Sequence, residues 1–196
     1  MEKTTLIASF YSFQPFVAAA HAFSPTKIVL IVAEDTIPKI ETALAKVKEV
    51  YGTVATIQLV KVKGSDLLEI AKTTVDLLEN EEGRKVVNVS GGWKLLAQGM
   101  LYGCYARPEL VEKIVCNNLE ENNSMVELPK LGFGLGSAKK DLLNEIAERK
   151  GRSIAKIADK LGKTRGMLYQ HLKELKESGY TDEKFEITLA GRMALL

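Results

Sequence analysis

The sequence predicts an α/β domain with a mainly parallel sheet, followed by a smaller helical domain. Three observations favour this division. Apolar segments of strand length alternate with amphipathic helical segments over the first two-thirds of the chain. Residues 129–136 (PKLGFGLG) then interrupt the alternation, and three helical patterns with a different charge balance follow. Because strands that alternate with helices form parallel sheets covered on both faces, the first part is expected to be doubly wound.

The strands are identified by runs of apolar and β-branched residues. Lys27–Ala33 (KIVLIVA) is apolar almost throughout, as expected of a strand that is buried on both faces. The other strand segments are Thr4–Phe10, Val54–Val62, Lys85–Val89, Leu110–Leu119 and Ser124–Leu128. The last two are joined by a short polar turn and are predicted to form an antiparallel hairpin. A doubly wound sheet would place the first four strands in the order 3-2-1-4.

Helical segments lie between these strands. Pro15–Phe23 is a short alanine-rich helix, and the next helix is capped by Asp35 or Thr36. Ser65 or Asp66 caps a third helix, and a fourth begins directly after the paired glycines at 91–92.

After residue 136, side chains that favour helix caps mark three more helices. Ser137, Ser153 and Thr164 are the predicted caps, and Gly162 turns the chain between the second and third helices. Phe185–Leu189 alternates like a strand, with Gly191 as a turn after it. The predicted domains are therefore 1–131 and 137–196, joined by a linker at 132–136.

The composition excludes several classes of protein. Hydrophobic residues make up 46% and charged residues 27%, which is an ordinary globular balance. Two cysteines and two histidines support neither a disulfide framework nor a metal cluster, so no metal or cofactor is expected. No apolar run approaches the roughly 18 residues that span a bilayer. A cytoplasmic protein without a membrane partner is the expectation.

The charge is divided unevenly along the chain. Residues 1–136 hold 14 Lys+Arg against 16 Asp+Glu, a net charge of −2, whereas residues 137–196 hold 13 against 9, a net charge of +4. Nine cations and only two acidic residues lie within 149–176. This asymmetry indicates that the second domain meets a polyanion.

The segment from Ser153 through Gly162 to Arg165 resembles a winged helix-turn-helix, with Phe185–Arg192 (FEITLAGR) as the wing and its return strand. The alternative is a helical packing or dimerisation unit. The resemblance implies a double-stranded DNA partner and a recognition helix at Thr164–Ser178, with Leu168, Leu172 and Leu175 facing its own core. The candidate DNA contacts are Lys163, Thr164, Arg165, Tyr169, Gln170 and Lys173.

Different roles are expected for these contacts. Arg165 is suited to guanine and Gln170 to adenine in the major groove. Lys163, Thr164 and Lys173 are suited to phosphate.

Arg165 and His171 also have the R-x5-H spacing of a class of helical ribonucleases, but such enzymes need a larger helical bundle than this segment provides.

A second candidate site lies in the first domain. Ser90-Gly91-Gly92-Trp93-Lys94 joins a strand to a helix, where paired glycines and free N–H groups can receive phosphate or another anion. The loop after the first strand, Ser9-Phe10-Tyr11-Ser12-Phe13, offers hydroxyls and aromatic rings suited to a nucleobase. Both loops are expected at the switch point between the first and fourth strands.

Two further features have structural interpretations. Gly132-x-Gly134-x-Gly136 lacks the full spacing of a dinucleotide fingerprint and is interpreted as a flexible linker. Cys104 and Cys116 are expected to be small buried hydrophobic residues.

The strand–Asn88-Val89-Ser90-Gly91-Gly92–helix motif, the Ser/Phe-bearing first loop and the C-terminal winged helix-turn-helix together resemble the CRISPR-associated CARF regulators. The resemblance implies a Rossmann-like sensor that forms a homodimer and binds cyclic oligoadenylate. Ser9, Phe10 and Ser12 match the first ligand motif. Ser90, Gly91, Gly92 and Lys94 match the second. Trp93 departs from the small hydroxyl residue expected in that motif, and would either stack on adenine or narrow the pocket.

The resemblance implies a ligand-responsive transcription regulator of a CRISPR–Cas locus, sensing cyclic tetra-adenylate, and no catalytic constellation is apparent. Two alternatives remain at this point. One is a ring nuclease that cleaves its cyclic ligand, with Lys94 stabilising the transition state and a hydroxyl of Ser9, Ser12 or Ser90 orienting phosphate. The other is a one-component repressor that senses another nucleotide or metabolite.

Overall fold

The computed structural model of the protein describes residues 3–118, 124–148 and 153–196. The chain divides into two compact units, Met1–Gly132 and Phe133–Leu196. Among the described helices, none combines the length and the apolarity needed to cross a bilayer.

The first unit is built on a six-stranded sheet. Its strands are β1 (Thr4–Ser9), β2 (Lys27–Ala33), β3 (Thr56–Val62), β4 (Arg84–Asn88), β5 (Lys113–Asn118) and β6 (Ser124–Leu128). They lie in the order β3-β2-β1-β4-β5-β6, all parallel except β6, which pairs antiparallel with β5. The mainly parallel sheet, the order of the first four strands and the final hairpin are as predicted.

Four α-helices cover the two faces of this sheet. They are α1 (Phe13–Phe23), α2 (Ile37–Tyr51), α3 (Leu67–Asn80) and α4 (Lys94–Ala106). Because successive strand residues point to opposite faces, Leu6 joins a core with Phe16 of α1, whereas Ile7 joins a core with Met100 of α4. Since α1 follows β1 on one face and α4 follows β4 on the other, a crevice is expected beyond the carboxyl ends of β1 and β4.

In the described part of the second unit, four helices surround a separate core. They are α5 (Ser137–Ala147), α6 (Ile154–Leu161), α7 (Arg165–Glu177) and α8 (Leu189–Ala194). Leu168, Leu172 and Leu175 of α7 are all buried in this core, as the helical spacing predicted. Ser153 and Thr164 cap α6 and α7, and Gly162 between them has a φ of +60°, which glycine adopts without strain.

Part of the predicted linker packs on the second unit. Phe133 and Leu135 pack against its core, and the Tyr180 hydroxyl donates a hydrogen bond to the Phe133 carbonyl at 2.8 Å. Gly134 between them has a φ of +64°. Gly134 therefore turns the chain between two apolar side chains that pack on this core, so the segment is more than a spacer.

The predicted wing strand is corrected by the structure. Pairing is limited to a single antiparallel bridge between Thr181 and Ile187, and α8 replaces the predicted return strand. The alternating pattern is overridden because the Thr188 hydroxyl accepts a hydrogen bond from the Gly191 N–H and caps that helix. The Asp182 carboxylate closes the turn by accepting from the backbone N–H of Lys184 and of Glu186.

Candidate functional site

The loops after β1 and β4 meet directly at the switch point of the sheet. The Ser9 hydroxyl accepts a hydrogen bond from the Gly91 N–H at 3.1 Å and donates to the Asn88 carbonyl at 3.4 Å. A Cβ on Gly91 would overlap the carbonyl oxygen of Ser9, so glycine is required for this approach. Two segments far apart in sequence are thus brought together, and Ser9 itself, only 2% exposed, holds the β4–α4 turn in place.

A polar network extends from this contact to β5. Ser90 N–H donates to Asn88 Oδ1 at 2.9 Å, and Asn117 N–H donates to the Ser90 hydroxyl at 2.7 Å. The same hydroxyl lies within hydrogen-bond distance of Oδ1 of both asparagines, although it has one proton to donate. The two amide oxygens therefore compete for Ser90.

Asn117 was missed by the sequence interpretation. It is 7% exposed, and its Nδ2 is buried without a hydrogen-bond partner among the described residues. Exchanging Nδ2 and Oδ1 of this amide would make Nδ2 a donor to the Ser90 hydroxyl 2.9 Å away, so Asn117 belongs to the polar network that supports the β4–α4 turn. The only sequence signal was an Asn-Asn pair at the end of an otherwise apolar strand.

The first turn of α4 faces this edge without a capping side chain. Trp93 occupies the N-cap position with extended backbone and caps nothing, and Gly92 before it has a φ of +77°. Lys94, the first helical residue, is exposed and forms no ion pair with any described residue. Free N–H groups, the positive end of the helix dipole and one ammonium group together suit an anion.

The first loop exposes Tyr11, whereas Phe10, the aromatic residue that matches the family's ligand motif, is buried. Phe10 is 1% exposed, its ring packs edge-to-face on Phe16 with centroids 5.9 Å apart, and its N–H donates to the Ile31 carbonyl at 2.9 Å. The structure therefore corrects the expectation that Phe10 contacts a base directly, because its ring belongs to the hydrophobic core beyond β1. Tyr11, 40% exposed, and Ser12, also exposed, are the accessible residues of this loop.

Trp93 lies between the α4 N-terminus and a cavity of about 250 Å³. The cavity is lined by Glu34, Asp35, Lys63, Gly64, Ser65 and Trp93. Two larger cavities, of about 520 and 530 Å³, open at the opposite, N-terminal edge of the sheet. The charged groups of the 530 Å³ cavity form the ion pairs Lys3–Glu82 and Lys27–Glu81, so those charges are already compensated within the protein.

The second unit presents the predicted DNA-contacting side chains on and beside α7. Lys163, Thr164, Arg165, Tyr169, Gln170 and Lys173 are all exposed. Thr164 also caps the helix by accepting from the Met167 N–H at 3.3 Å. A basic helix face with its leucines turned inward has the form expected of a recognition helix.

An acidic residue on α7 organises part of that face. Gln170 Nε2 donates to the Glu174 carboxylate at 3.2 Å, and Lys139 Nζ lies 2.8 Å from its other oxygen. Hydrogen bonds from Lys139 and Gln170 lower the pKa of Glu174 from its ordinary value. The Gln170 amide is therefore held by one of its two donor hydrogens.

The thiol groups and the metal-binding side chains of the described residues can be assessed directly. Burial raises the pKa of the Cys104 thiol to about 12, so the thiol is inert, and no group of metal-binding side chains occurs in the described ranges. Cys104 is buried as predicted, whereas Cys116 is only partly buried. Arg165 and His171, six residues apart on α7, project about 120° apart around a helix, so they do not share a face.

Comparisons with known proteins agree with this architecture. The sequence profile of the family described as the Csa3 CRISPR-associated Rossmann-like domain matches residues 18–129, and that of a winged helix-turn-helix DNA-binding domain matches residues 137–180. None of the curated proteins matches the sequence.

Two solved structures are similar to the chain. One is Can2 from Sulfobacillus thermosulfidooxidans in complex with cyclic tetra-adenylate, with a TM-score of 0.51, 13% identity, and coverage of 97% of this chain and 62% of that one. The other is a type III CRISPR defence DNA nuclease activated by cyclic oligoadenylate, with a TM-score of 0.49, 12% identity, and coverage of 90% and 34%. The chain thus spans less than two-thirds of the length of either structure. At these identities the likeness concerns the fold alone.

The family profile covers more than half of the chain. The chain therefore belongs to the Csa3 family of CRISPR-associated Rossmann-like proteins and carries a winged helix-turn-helix at its C-terminus.

Proposed function

We propose that this protein is a ligand-responsive DNA-binding transcription regulator of a CRISPR–Cas locus, which senses cyclic oligoadenylate, and specifically cyclic tetra-adenylate, through its first unit. The observation that carries the proposal is the contact between Ser9 and Gly91, which sets both candidate loops beside an uncapped helix and Lys94. A phosphate fits the α4 N-terminus, and Tyr11 offers an accessible ring to a base. The cyclic tetra-adenylate bound to Can2 supports this ligand class.

The second unit would supply the response. Its exposed basic helix face suits the major groove, and a ligand that binds the DNA-competent and the incompetent states unequally changes DNA affinity by linkage. DNA affinity is therefore expected to differ between the free and ligand-bound protein.

A homodimer belongs to the same proposal. Leu95 and Tyr102 are exposed apolar residues seven positions apart on α4, so they share a helix face that a second copy can cover. Helix-turn-helix readers commonly bind paired half-sites as dimers. Sedimentation of the purified chain at micromolar concentration is expected to show a dimer, and Leu95→Glu to shift it toward monomer.

Calorimetric titration of the purified chain with cyclic tri-, tetra- and hexa-adenylate tests the ligand, with linear tetra-adenylate as the control. Promoter-DNA binding is then measured by fluorescence anisotropy with and without the ring that binds. Tight binding of the tetra-adenylate ring and a changed DNA affinity are expected, whereas failure of every ring to bind would exclude the proposed ligand class.

The same samples test the ring-nuclease alternative. Ser9 and Ser90 already use their hydroxyls within the protein, which leaves the exposed Ser12 as the accessible hydroxyl of the three. We expect the ring to remain intact during the titration. Chromatographic detection of linear products would instead favour the nuclease.

A further inference from the structure

The cavity beside Trp93 is too small for a whole nucleotide ring and large enough for one of its parts. Its volume of about 250 Å³ is below the roughly 300–1,000 Å³ typical of ligand pockets. It opens at the carboxyl ends of β2 and β3, where Glu34 and Asp35 follow β2, and Lys63, Gly64 and Ser65 follow β3. The Trp93 backbone belongs to the α4 N-terminus, whereas its side chain lines the cavity, so the two regions are continuous.

One wall of the cavity is the indole ring of Trp93, which lies against the backbone of Gly64. A Cβ on Gly64 would lie 3.3 Å from Cε3 and Cζ3 of Trp93 and 2.7 Å from the Ala33 Cβ. The absence of a side chain at Gly64 therefore lets the indole lie close to the β3 loop. Trp93 is still 40% exposed, so its side chain remains accessible for stacking on a flat ring.

The charged groups at the cavity select what can enter. The Glu34 and Asp35 carboxylates only accept hydrogen bonds, and they repel phosphate. The Lys63 backbone N–H is occupied by the Glu69 carboxylate at 3.1 Å, which leaves the Lys63 ammonium group and the Ser65 hydroxyl as side-chain donors among the lining residues. A base with an N–H donor next to a ring nitrogen acceptor complements this set, whereas a phosphate does not.

We propose that the cavity formed by Trp93, Gly64 and the Glu34–Asp35 turn binds one adenine base of the cyclic ligand, whose 6-amino group donates to these carboxylates. This proposal rests on the proposed function and states which residues of its site bind which part of the ligand. The α4 N-terminus and Lys94 receive phosphate, while the side chain of Trp93 and the two carboxylates receive the base.

Two rings that differ only in the amino group test the proposal: cyclic tetra-adenylate and the same ring with purine replacing adenine. The parent protein is expected to bind the adenine ring at least about tenfold more tightly, as for a hydrogen bond to a charged group. Glu34→Ala/Asp35→Ala is expected to abolish that preference. Glu41→Ala/Glu49→Ala, which removes two exposed carboxylates from α2, is the matched control for net charge and is expected to retain it.

Trp93→Ala separates stacking from amine recognition. Since stacking does not depend on the amino group, this variant is expected to lose about five- to a hundredfold in affinity for both rings. If the adenine ring binds but Glu34→Ala/Asp35→Ala keeps the parent preference, the base subsite is wrong and the proposed function stands. If neither ring binds the parent protein, the proposed function fails, and the subsite fails with it.

Discussion

The Ser9 hydroxyl accepts a hydrogen bond from the Gly91 N–H at 3.1 Å, joining two loops that are 82 residues apart in sequence. Both groups are buried, so the bond fixes the glycine turn in front of α4. The sequence predicts that Ser9 contacts the ligand. In the structure its hydroxyl is engaged by the protein, so we propose that Ser9 acts on binding by positioning the turn.

Ser9→Ala is expected to lower the free energy of unfolding by about 1–3 kcal/mol, because it leaves a buried N–H without an acceptor. Ligand affinity is expected to fall with it, since the glycine turn loses its anchor. Urea denaturation measures the first effect and calorimetry the second. Ser12→Ala, at an exposed site in the same loop, is the stability control and is expected to stay within about 0.5 kcal/mol of the parent.

Gly92→Val is expected to abolish ligand binding. Gly92 has a φ of +77°, and its added Cβ would lie 2.8 Å from Leu96 Cδ2, so the turn into α4 must shift. Gly134→Val imposes a similar positive-φ strain in the second unit, where nothing lies within 4 Å of a Cβ, and is expected to leave ligand affinity unchanged. Equal ligand affinity in both variants and the parent would remove the glycine turn from the site.

Lys94→Ala is expected to weaken ligand binding by about 1.5–3 kcal/mol, roughly ten- to a hundredfold, through loss of a charge-assisted contact. Lys72→Ala removes an exposed cation from α3 and controls for net charge. Calorimetry at two salt concentrations distinguishes a direct contact from general attraction. Identical losses in the two variants would argue against a specific role for Lys94.

Arg165→Ala is expected to relax sequence preference at one base pair, worth about 1–3 kcal/mol of discrimination, because a bidentate contact to guanine is lost. Lys163→Ala is expected to weaken all sequences about equally and to reduce the salt slope by about 0.9 for each lost phosphate contact. Binding to a panel of operator variants at several salt concentrations tests both. Parent-like behaviour of both variants would show that α7 is not the recognition helix.

The fold was predictable because its signals are long and redundant. Lys27–Ala33 is a complete apolar strand, and the alternation of strands and helices leaves few arrangements of a parallel sheet. The two candidate loops were predictable for the same reason, since the strand order alone brings them to one edge. What the pattern could not give was the direction of individual side chains at strand ends.

Three details could not be predicted from the sequence: the burial of Phe10, the contacts of Asn117 and the form of the wing. Phe10 ends an apolar run, and nothing in the sequence tells whether its ring continues the core or turns outward. Asn117 lies in the Asn-Asn pair that ends β5, and its partner, Ser90, lies far away in sequence at the β4–α4 junction. In the wing, the alternation from Phe185 to Leu189 competes with the helix cap at Thr188, and the cap prevails because Met193 and Ala194 gain burial.

The turn of the wing is acidic, which predicts that it stays away from the DNA backbone. Asp182, Glu183 and Glu186 surround Lys184, and Glu183 pairs with Lys176 at the end of α7. Like charges repel phosphate, so Lys184→Ala is expected to change DNA affinity far less than Lys163→Ala. Glu183→Gln/Glu186→Gln is expected to strengthen binding to all sequences alike. Anisotropy with specific and random duplexes measures both, and a loss of affinity in Lys184→Ala equal to that of Lys163→Ala would place the wing on the DNA.

Glu174→Ala is expected to alter base preference, because Glu174 holds the Gln170 amide through one of its donor hydrogens at 3.2 Å. With the amide fixed, its second donor and its oxygen remain for the acceptor and the amino group of adenine. Preference for adenine at that position is expected to fall while affinity for random duplex rises slightly, since a negative charge is lost near phosphate. Glu177→Ala removes the same charge from the same helix beside Lys173 and is expected to leave the preference intact.

The pH dependence of this contact has a defined sign. Lys139 and Gln170 lower the pKa of Glu174 below its ordinary value of 4.5. The stabilising contacts of Glu174 are therefore complete above 4.5 and are lost as pH falls through the lower folded pKa. Base preference measured at neutral pH in the three proteins decides the matter, and an unchanged adenine preference in Glu174→Ala would show that Gln170 orients itself without this carboxylate.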